Sequence, residues 1–385
     1  MALALARSPR VAARAAAITG ARHVAPAAGA LPDPMVSLSA RGEDYPGAGI
    51  GDEPMAMAAV ELSQTIPWPG KQRRREAAAT ASVAVAEGDL ESARRQLAAE
   101  VRAAYAGLVA LDQEARATGE AIDLVELLRP AVGARYETGQ AEQTDLVSLQ
   151  LERLRLLSDL DATAAARAEL AASLEAALDT IGVAPPRTAG VLPAVGDAVA
   201  GASPDSFAAV GRARAEVERA RLFAAAARRE GRPDLVVGAE YGWRDALPPM
   251  VTVRVGVELP LWRGRKQDAL AEGAVCDLAM AEAQLRDARA AAAAESATLA
   301  ARIAAASRQA ARLRVEVVPH AELAVAATRA SYVAGRGELA GVVDALRTLV
   351  GARAELSRRE AEHYAAWARL RALAGRDPEL NHEEP

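Results

Sequence analysis

The sequence predicts a mainly helical fold with a small β part, in which one structural unit occurs twice. Apolar residues make up 51% of the chain and aromatic residues only 3%, so alanine, leucine and valine carry the apolar content. This composition, with abundant arginine and glutamate, is typical of long and closely packed helices. Two alternating runs end in similar corners, "VELSQTIPWPGK" at 60–71 and "VELPLWRGRK" at 257–266. The fold is therefore expected to contain two strand-to-helix junctions of the same kind.

The two copies follow each other at a nearly constant offset. Tyr136 and Tyr332 are 196 residues apart, and so are Gly139 and Gly335. Two copies at so long a period indicate a duplication rather than a solenoid. We predict a first structural repeat over residues 1–200, a second over 201–377 and a disordered tail over 378–385.

The strands have the clearest period. In "VTVRVGVEL" at 251–259, valine and leucine alternate with Thr, Arg, Gly and Glu, which is the pattern of a strand with one apolar and one polar face. Similar runs predict two strands in each repeat. The predicted strands cover residues 34–41, 56–66, 234–243 and 250–260.

The predicted helices are much longer than ordinary globular ones. They run over 72–137 and 266–333, about 100 Å each at 1.5 Å per residue, and end at tips over 138–141 and 334–337. Pro130 and Pro319 are expected to kink them. The helical segments that return from each tip add up to about the length of the long helices. The helices are therefore expected to belong to a coiled coil or a barrel of helices.

Four strands cannot close a barrel, because about eight are needed, and open sheet edges are not left bare. Three chains would supply twelve strands and twelve helical passes. That number closes a β-barrel and an α-barrel around one axis. The sequence therefore predicts a homotrimer.

The paired corners and the tips "RYETGQAEQTDL" and "SYVAGRGELAGVVDALRTL" resemble the TolC-type outer-membrane efflux family. The corner residues that carry the resemblance are Pro67, Trp68, Pro69, Gly70, Lys71, Trp262 and Gly264. The resemblance implies a trimer whose 12-stranded β-barrel is continuous with a long periplasmic α-barrel. Its location would be the outer membrane of a Gram-negative bacterium, with outer-membrane lipid around it.

The resemblance also implies a function. The chain would be a passive exit duct, not an enzyme and without a cofactor, working with a periplasmic adaptor (membrane fusion) protein and an inner-membrane RND-type pump. The segment 33–71 resembles the heavy-metal (cation) branch. A multidrug or type I secretion duct of the same family is the alternative, and a soluble coiled-coil scaffold is the alternative from another class.

The sequence does not support an enzyme or a nucleic-acid-binding protein. There is no clustered His, nucleophile motif or phosphate loop that would indicate an enzyme. The net charge is −5, and the basic runs 71–76 and 263–266 lack interleaved aromatic residues, so no nucleic-acid partner is expected. Those runs fit a barrel rim near anionic headgroups better. Met35, Met55 and Met57 are interpreted as packing or lipid-facing residues rather than copper ligands.

By resemblance, the tip gate places Asp145 against Tyr332, with Arg336 or Arg135 as a basic partner. Tyr136, Gly139 and Gly335 complete the tip that would contact the adaptor. The alternative for Asp145 is a cap of the following helix. Asp344 matches a tunnel-lining carboxylate that would favour cations, and a solvated helix-surface residue is its alternative.

The apolar run at the beginning of the sequence is too short to form a secretory signal, because Arg7 interrupts it. An outer-membrane protein needs such a signal, so we expect an in-frame upstream extension that encodes one. The single cysteine, Cys276, is expected to be buried within a helix, and it offers no disulfide within the chain.

Overall fold

In the computed structural model the chain is described over residues 2–41, 56–179, 203–244 and 247–375, and at positions 188, 190–193 and 195. The predicted tail at 378–385 and Met55 lie outside the described residues.

Helices dominate the described chain, and the strands occur in two pairs. One 3₁₀ turn covers Pro204–Ser206. The elements in order are α1 (Ala2–Arg7), α2 (Pro9–Gly29), β1 (Met35–Arg41), β2 (Met57–Ile66), α3 (Lys71–Glu137), α4 (Gln143–Leu178), α5 (Ala208–Ala227), β3 (Asp234–Trp243), β4 (Met250–Glu258), α6 (Gln267–Arg312), α7 (Val318–Val333) and α8 (Leu339–Leu373). The predicted fold class, mainly α with a small β part, is confirmed.

The strands of both halves form one antiparallel sheet in the order β1-β2-β3-β4. The joint between the halves is the β2–β3 pair, in which Glu61 faces Glu240 and Leu62 faces Ala239. The sheet therefore contains strands from both predicted repeats.

The run predicted as one helix over 266–333 is divided in the structure. A π-helical turn at Leu313–Val317 separates α6 from α7. Pro319 lies in the first turn of α7, where it has no N–H to donate and crowds the preceding turn. The wider π turn accommodates this proline. By contrast, α3 continues through Pro130.

The chain divides into two compact units. One comprises Met1–Ala13, Leu90–Val210 and Arg289–Pro385, and the other Arg14–Asp89 and Gly211–Ala288. The first unit holds the hairpin ends, where α3, α4, α7 and α8 share one apolar core. Its buried members are Ala121, Val125, Leu128, Val132, Leu149, Leu156, Tyr332, Leu339, Val342, Val343 and Leu346.

The second unit holds the sheet and the helix segments that enter it. Its helices approach closely, because a Cβ at Gly88 would lie 2.9 Å from Cα of Arg212. Such an approach requires a residue without a side chain. Asp89, next to Gly88, accepts a 2.8 Å hydrogen bond from Nε of Arg212 and fixes the same contact.

Candidate functional site

The sheet has one apolar and one polar face. On the apolar face, Leu38, Val253 and Val255 are 81%, 74% and 68% exposed. The register places Ser37, Glu61, Glu240 and Thr252 together on the other face. An exposed apolar face on a sheet of four strands is unusual in a protein surrounded by water and marks contact with a partner or a membrane.

Charged side chains link all four strands on the polar face. Glu240 on β3 is only 4% exposed and accepts a 2.9 Å hydrogen bond from Nη2 of Arg41 on β1. Arg254 on β4 donates from Nη1 to Glu61 on β2 at 2.7 Å and places Nη2 3.5 Å from Glu240. A buried carboxylate is tolerated here because two guanidinium groups offset its charge.

The first strand-to-helix corner is fixed by one carboxylate. Asp234, at the start of β3, accepts hydrogen bonds from the backbone N–H of Trp68 at 2.7 Å and from Nζ of Lys71 at 2.8 Å. Lys71 is only 3% exposed. The expectation that this lysine faces lipid headgroups was therefore wrong, because Asp234 holds the ammonium group inside the corner.

Other residues of the basic run at 71–76 have different surroundings. Arg75 forms a two-fold pair with Glu230, at 2.7 and 2.6 Å, and its pKa is raised mainly by the hydrogen bond to Glu230. Arg73 and Arg74 are exposed. The run thus contributes both internal ion pairs and free surface charge.

The corner residues differ in exposure. Pro67 is buried, whereas Trp68 and Pro69 are exposed. Gly70, immediately before α3, has a φ of +88°. In the second corner, Trp262 is 73% exposed and Gly264 is exposed. Both tryptophans are thus available to a surrounding medium, as interfacial aromatic residues are.

Both hairpin tips turn at a glycine. Gly139 has a φ of +69° and Gly335 a φ of +75°, a left-handed conformation that glycine adopts without strain. Tyr136 and Arg336 are exposed beside these turns. The structure therefore presents four of the predicted tip residues at the ends of the hairpins.

Tyr332 is buried at the tip, and Arg135 rather than Arg336 contacts it. The guanidinium carbon of Arg135 lies 4.6 Å from the Tyr332 ring centroid, and its Nη1 donates a 2.7 Å hydrogen bond to the Tyr332 carbonyl oxygen. Burial raises the pKa of Tyr332. The Tyr332 hydroxyl is buried and has no hydrogen-bond partner among the described residues.

Asp145 supports its own helix. Its Oδ2 accepts a 3.3 Å hydrogen bond from the backbone N–H of Glu142, just before α4. This contact is the capping alternative, in which the side chain satisfies an N–H that the helix leaves free. Asp344 is 75% exposed and lies 3.6 Å from Arg347, one turn away.

An ion pair between the two hairpins was not predicted from the sequence. Glu152 on α4 is 1% exposed and accepts hydrogen bonds from Nε and Nη2 of Arg347 on α8, at 2.8 and 2.6 Å. Glu152 occupies a seam position between Leu149 and Leu156, both buried. A carboxylate at an apolar seam position was the available signal.

Within the described part of the chain, no helix is both long and apolar enough to span a bilayer, and no group of three or more His, Cys, Asp or Glu side chains could hold a metal ion. Cys276 is exposed. The expectation that it is buried was wrong, because α6 turns this position outward.

Residues 208–376 match the family model described as "Outer membrane efflux protein". No curated protein matches the chain in sequence. Solved channel structures match its fold over nearly the whole length, with 97% of this chain covered in each case. They include VceC from Vibrio cholerae (TM-score 0.79, 19% identity, 94% of that chain), CusC (0.84, 16%, 90%) and MtrE from Neisseria gonorrhoeae (0.78, 16%, 87%).

The fold of the described chain is thus the fold of these solved channels. The family match includes the second corner, at 257–266, and the second tip, at 334–337.

Proposed function

We propose that three copies of this chain form the outer-membrane exit duct of a tripartite efflux system. The observation that carries the proposal is the sheet, which has an exposed apolar face, a charged polar face, and β1 and β4 as its outer strands. Three such sheets supply twelve strands and close without an edge. The apolar face would then meet lipid and the polar face the lumen.

The helical part would form an α-barrel in the periplasm of a Gram-negative cell. Its tips, with Tyr136, Gly139, Gly335 and Arg336, would contact a periplasmic adaptor that links the duct to an RND-type pump. The Arg135–Tyr332 contact would hold the tip closed, with Asp145 as a cap beside it. Three copies of Asp344 would line the tunnel and favour cations.

The cargo we propose is a heavy-metal cation, because segment 33–71 resembles the cation-exporting branch. Drugs or secreted polypeptides are the alternative cargo. Deleting the gene from its host and measuring growth distinguishes the two. Sensitivity to metal salts alone supports the cation proposal, and sensitivity to drugs alone contradicts it.

Conductance across a planar bilayer tests the duct itself. The purified protein is expected to insert and pass current in discrete steps. A matched pair of variants uses the two faces of β4: Val253→Arg places a charge on the apolar face, and Thr252→Arg places one on the polar face. A midplane arginine facing lipid costs about 2–4 kcal/mol. Val253→Arg should therefore reduce insertion and Thr252→Arg should not.

A protein that stays in solution, passes no current and tolerates both substitutions equally would contradict the duct. That outcome would favour the coiled-coil scaffold instead.

A further inference from the structure

We propose that Arg41 and Arg254 form a lumen-facing site for small anions inside the barrel. This inference rests on the proposed function, because the polar face becomes a lumen only when three sheets close. It concerns a different property of the duct, which is the charge of the solutes that its barrel binds.

The two arginines converge on one carboxylate. Arg41 and Arg254 lie on the outer strands β1 and β4, and each approaches Glu240 on β3, at 2.9 and 3.5 Å. Arg254 is also held by Glu61 at 2.7 Å. These contacts fix the direction of both guanidinium groups on the polar face.

The two arginine side chains are more exposed to solvent than the carboxylates that they contact. Arg41 and Arg254 are 46% and 55% exposed, and Glu240 and Glu61 are 4% and 21% exposed. The carboxylates therefore lie closer to the sheet than the guanidinium groups, which are the more exposed partners of each ion pair.

Among the described residues, the contacts of Arg41 and Arg254 leave some guanidinium N–H donors without a partner. An arginine has five N–H donors in a planar fork, and the contacts to Glu240 and Glu61 use Nη2 of Arg41 and both terminal nitrogens of Arg254. The remaining donors suit the oxygen pairs of sulfate, phosphate or carboxylate groups.

In the closed trimer, three copies would place six such arginines around the lumen. Because Glu61 and Glu240 of each copy balance the two positive charges, the belt would bind anions through the outward N–H donors of its guanidinium groups and not through a net charge.

Sulfate block of the reconstituted trimer tests the site. With chloride as the current-carrying anion, adding sulfate is expected to lower the single-channel conductance reversibly. The double variant Arg41→Gln and Arg254→Gln should raise the half-blocking sulfate concentration at least about tenfold, because it removes charge-assisted hydrogen bonds. A matched control, Arg221→Gln, changes a 66% exposed arginine paired with Glu218 on α5 and should leave the block unchanged.

The outcomes separate the two proposals. Absence of any channel contradicts the proposed duct. A wild-type channel that conducts but is not blocked by sulfate, or a double variant that is blocked at the same concentration, overturns the anion site and leaves the duct intact. If the double variant fails to insert, Glu240→Gln is used: the arginines then lose their shared carboxylate but keep their charge, and the block must persist or strengthen.

Discussion

Arg135 and Tyr332 connect the ends of the two helical hairpins. Arg135, near the end of α3, donates to the carbonyl oxygen of Tyr332, near the end of α7, and its guanidinium lies over the tyrosine ring. The contact uses the backbone and the ring face of the tyrosine, and the hydroxyl is not involved. This division of roles leads to the first prediction.

Tyr332→Phe should leave the free energy of unfolding unchanged or raise it by up to about 1 kcal/mol, because a buried unpaired hydroxyl is unfavourable. Tyr332→Leu removes the ring and should lower stability. Thermal unfolding of both variants checks this. Equal losses in the two variants would show that the hydroxyl has a partner, as the Asp145 gate would require.

Asp145→Ala should weaken the first turn of α4 by about 1 kcal/mol, the usual cost of a lost helix cap. Asp145→Asn keeps an acceptor oxygen and should cost less. Amide hydrogen exchange in residues 142–147 reports this local effect. Unchanged exchange together with a higher open probability in bilayers would instead assign Asp145 to the gate.

Arg347→Ala should be the most destabilising single change in the hairpin unit, by about 3–5 kcal/mol, because it leaves Glu152 charged, buried and without its main partner. Replacing both residues with methionine should restore most of the loss. Arg358→Ala, which removes a 58% exposed arginine 3.7 Å from Glu355, is the matched control and should have little effect. Chemical unfolding of the four proteins measures these differences, and a loss for Arg347→Ala no larger than the control's would refute the prediction.

Lys71→Ala should destabilise the first corner by about 3 kcal/mol or more, since it removes a buried cation from Asp234. Arg74→Ala, three residues further on, changes an exposed side chain and should be nearly neutral. Heat resistance of the extracted oligomer on gels compares the two. Similar behaviour of both variants would mean that the corner does not depend on this ion pair.

Asp112 should make the free energy of unfolding depend on pH in the acidic range. Burial acts to raise its pKa, but hydrogen bonds from Thr188 and Arg167 outweigh burial and lower the pKa below the ordinary 3.8. The folded state therefore binds the proton less tightly than the unfolded state. The stabilisation is present above the unfolded-state pKa and is lost as pH falls through the folded-state pKa.

Asp112→Asn should remove that component of the acid dependence. Unfolding free energies measured between neutral pH and pH 3 for both proteins check the effect. Curves that stay parallel down to pH 3 would contradict the assignment.

The fold was predictable because its signals are local. Alternation in the run at 251–259 shows a two-faced strand without any knowledge of its neighbours, and the corners and tips recur at a nearly constant offset. In the structure Glu61 on β2 faces Glu240 on β3, so strands from both predicted repeats lie in one sheet.

The site was less predictable because its contacts are distant in sequence. Glu152 and Arg347 are 195 residues apart, and no local pattern shows which helices face each other. The sequence left Arg135 and Arg336 as equal partners for Tyr332, and only packing of the tip distinguishes them. Lys71 was misread because exposure of a basic run depends on the position of Asp234, on another strand.

The central claim is that one chain supplies a third of a closed barrel. Native mass spectrometry of the detergent-extracted protein tests this most directly, because it counts the copies in the particle. A trimeric duct should give three copies that persist on dilution. A monomer or dimer as the stable species, with its apolar sheet face covered only by detergent, would contradict it.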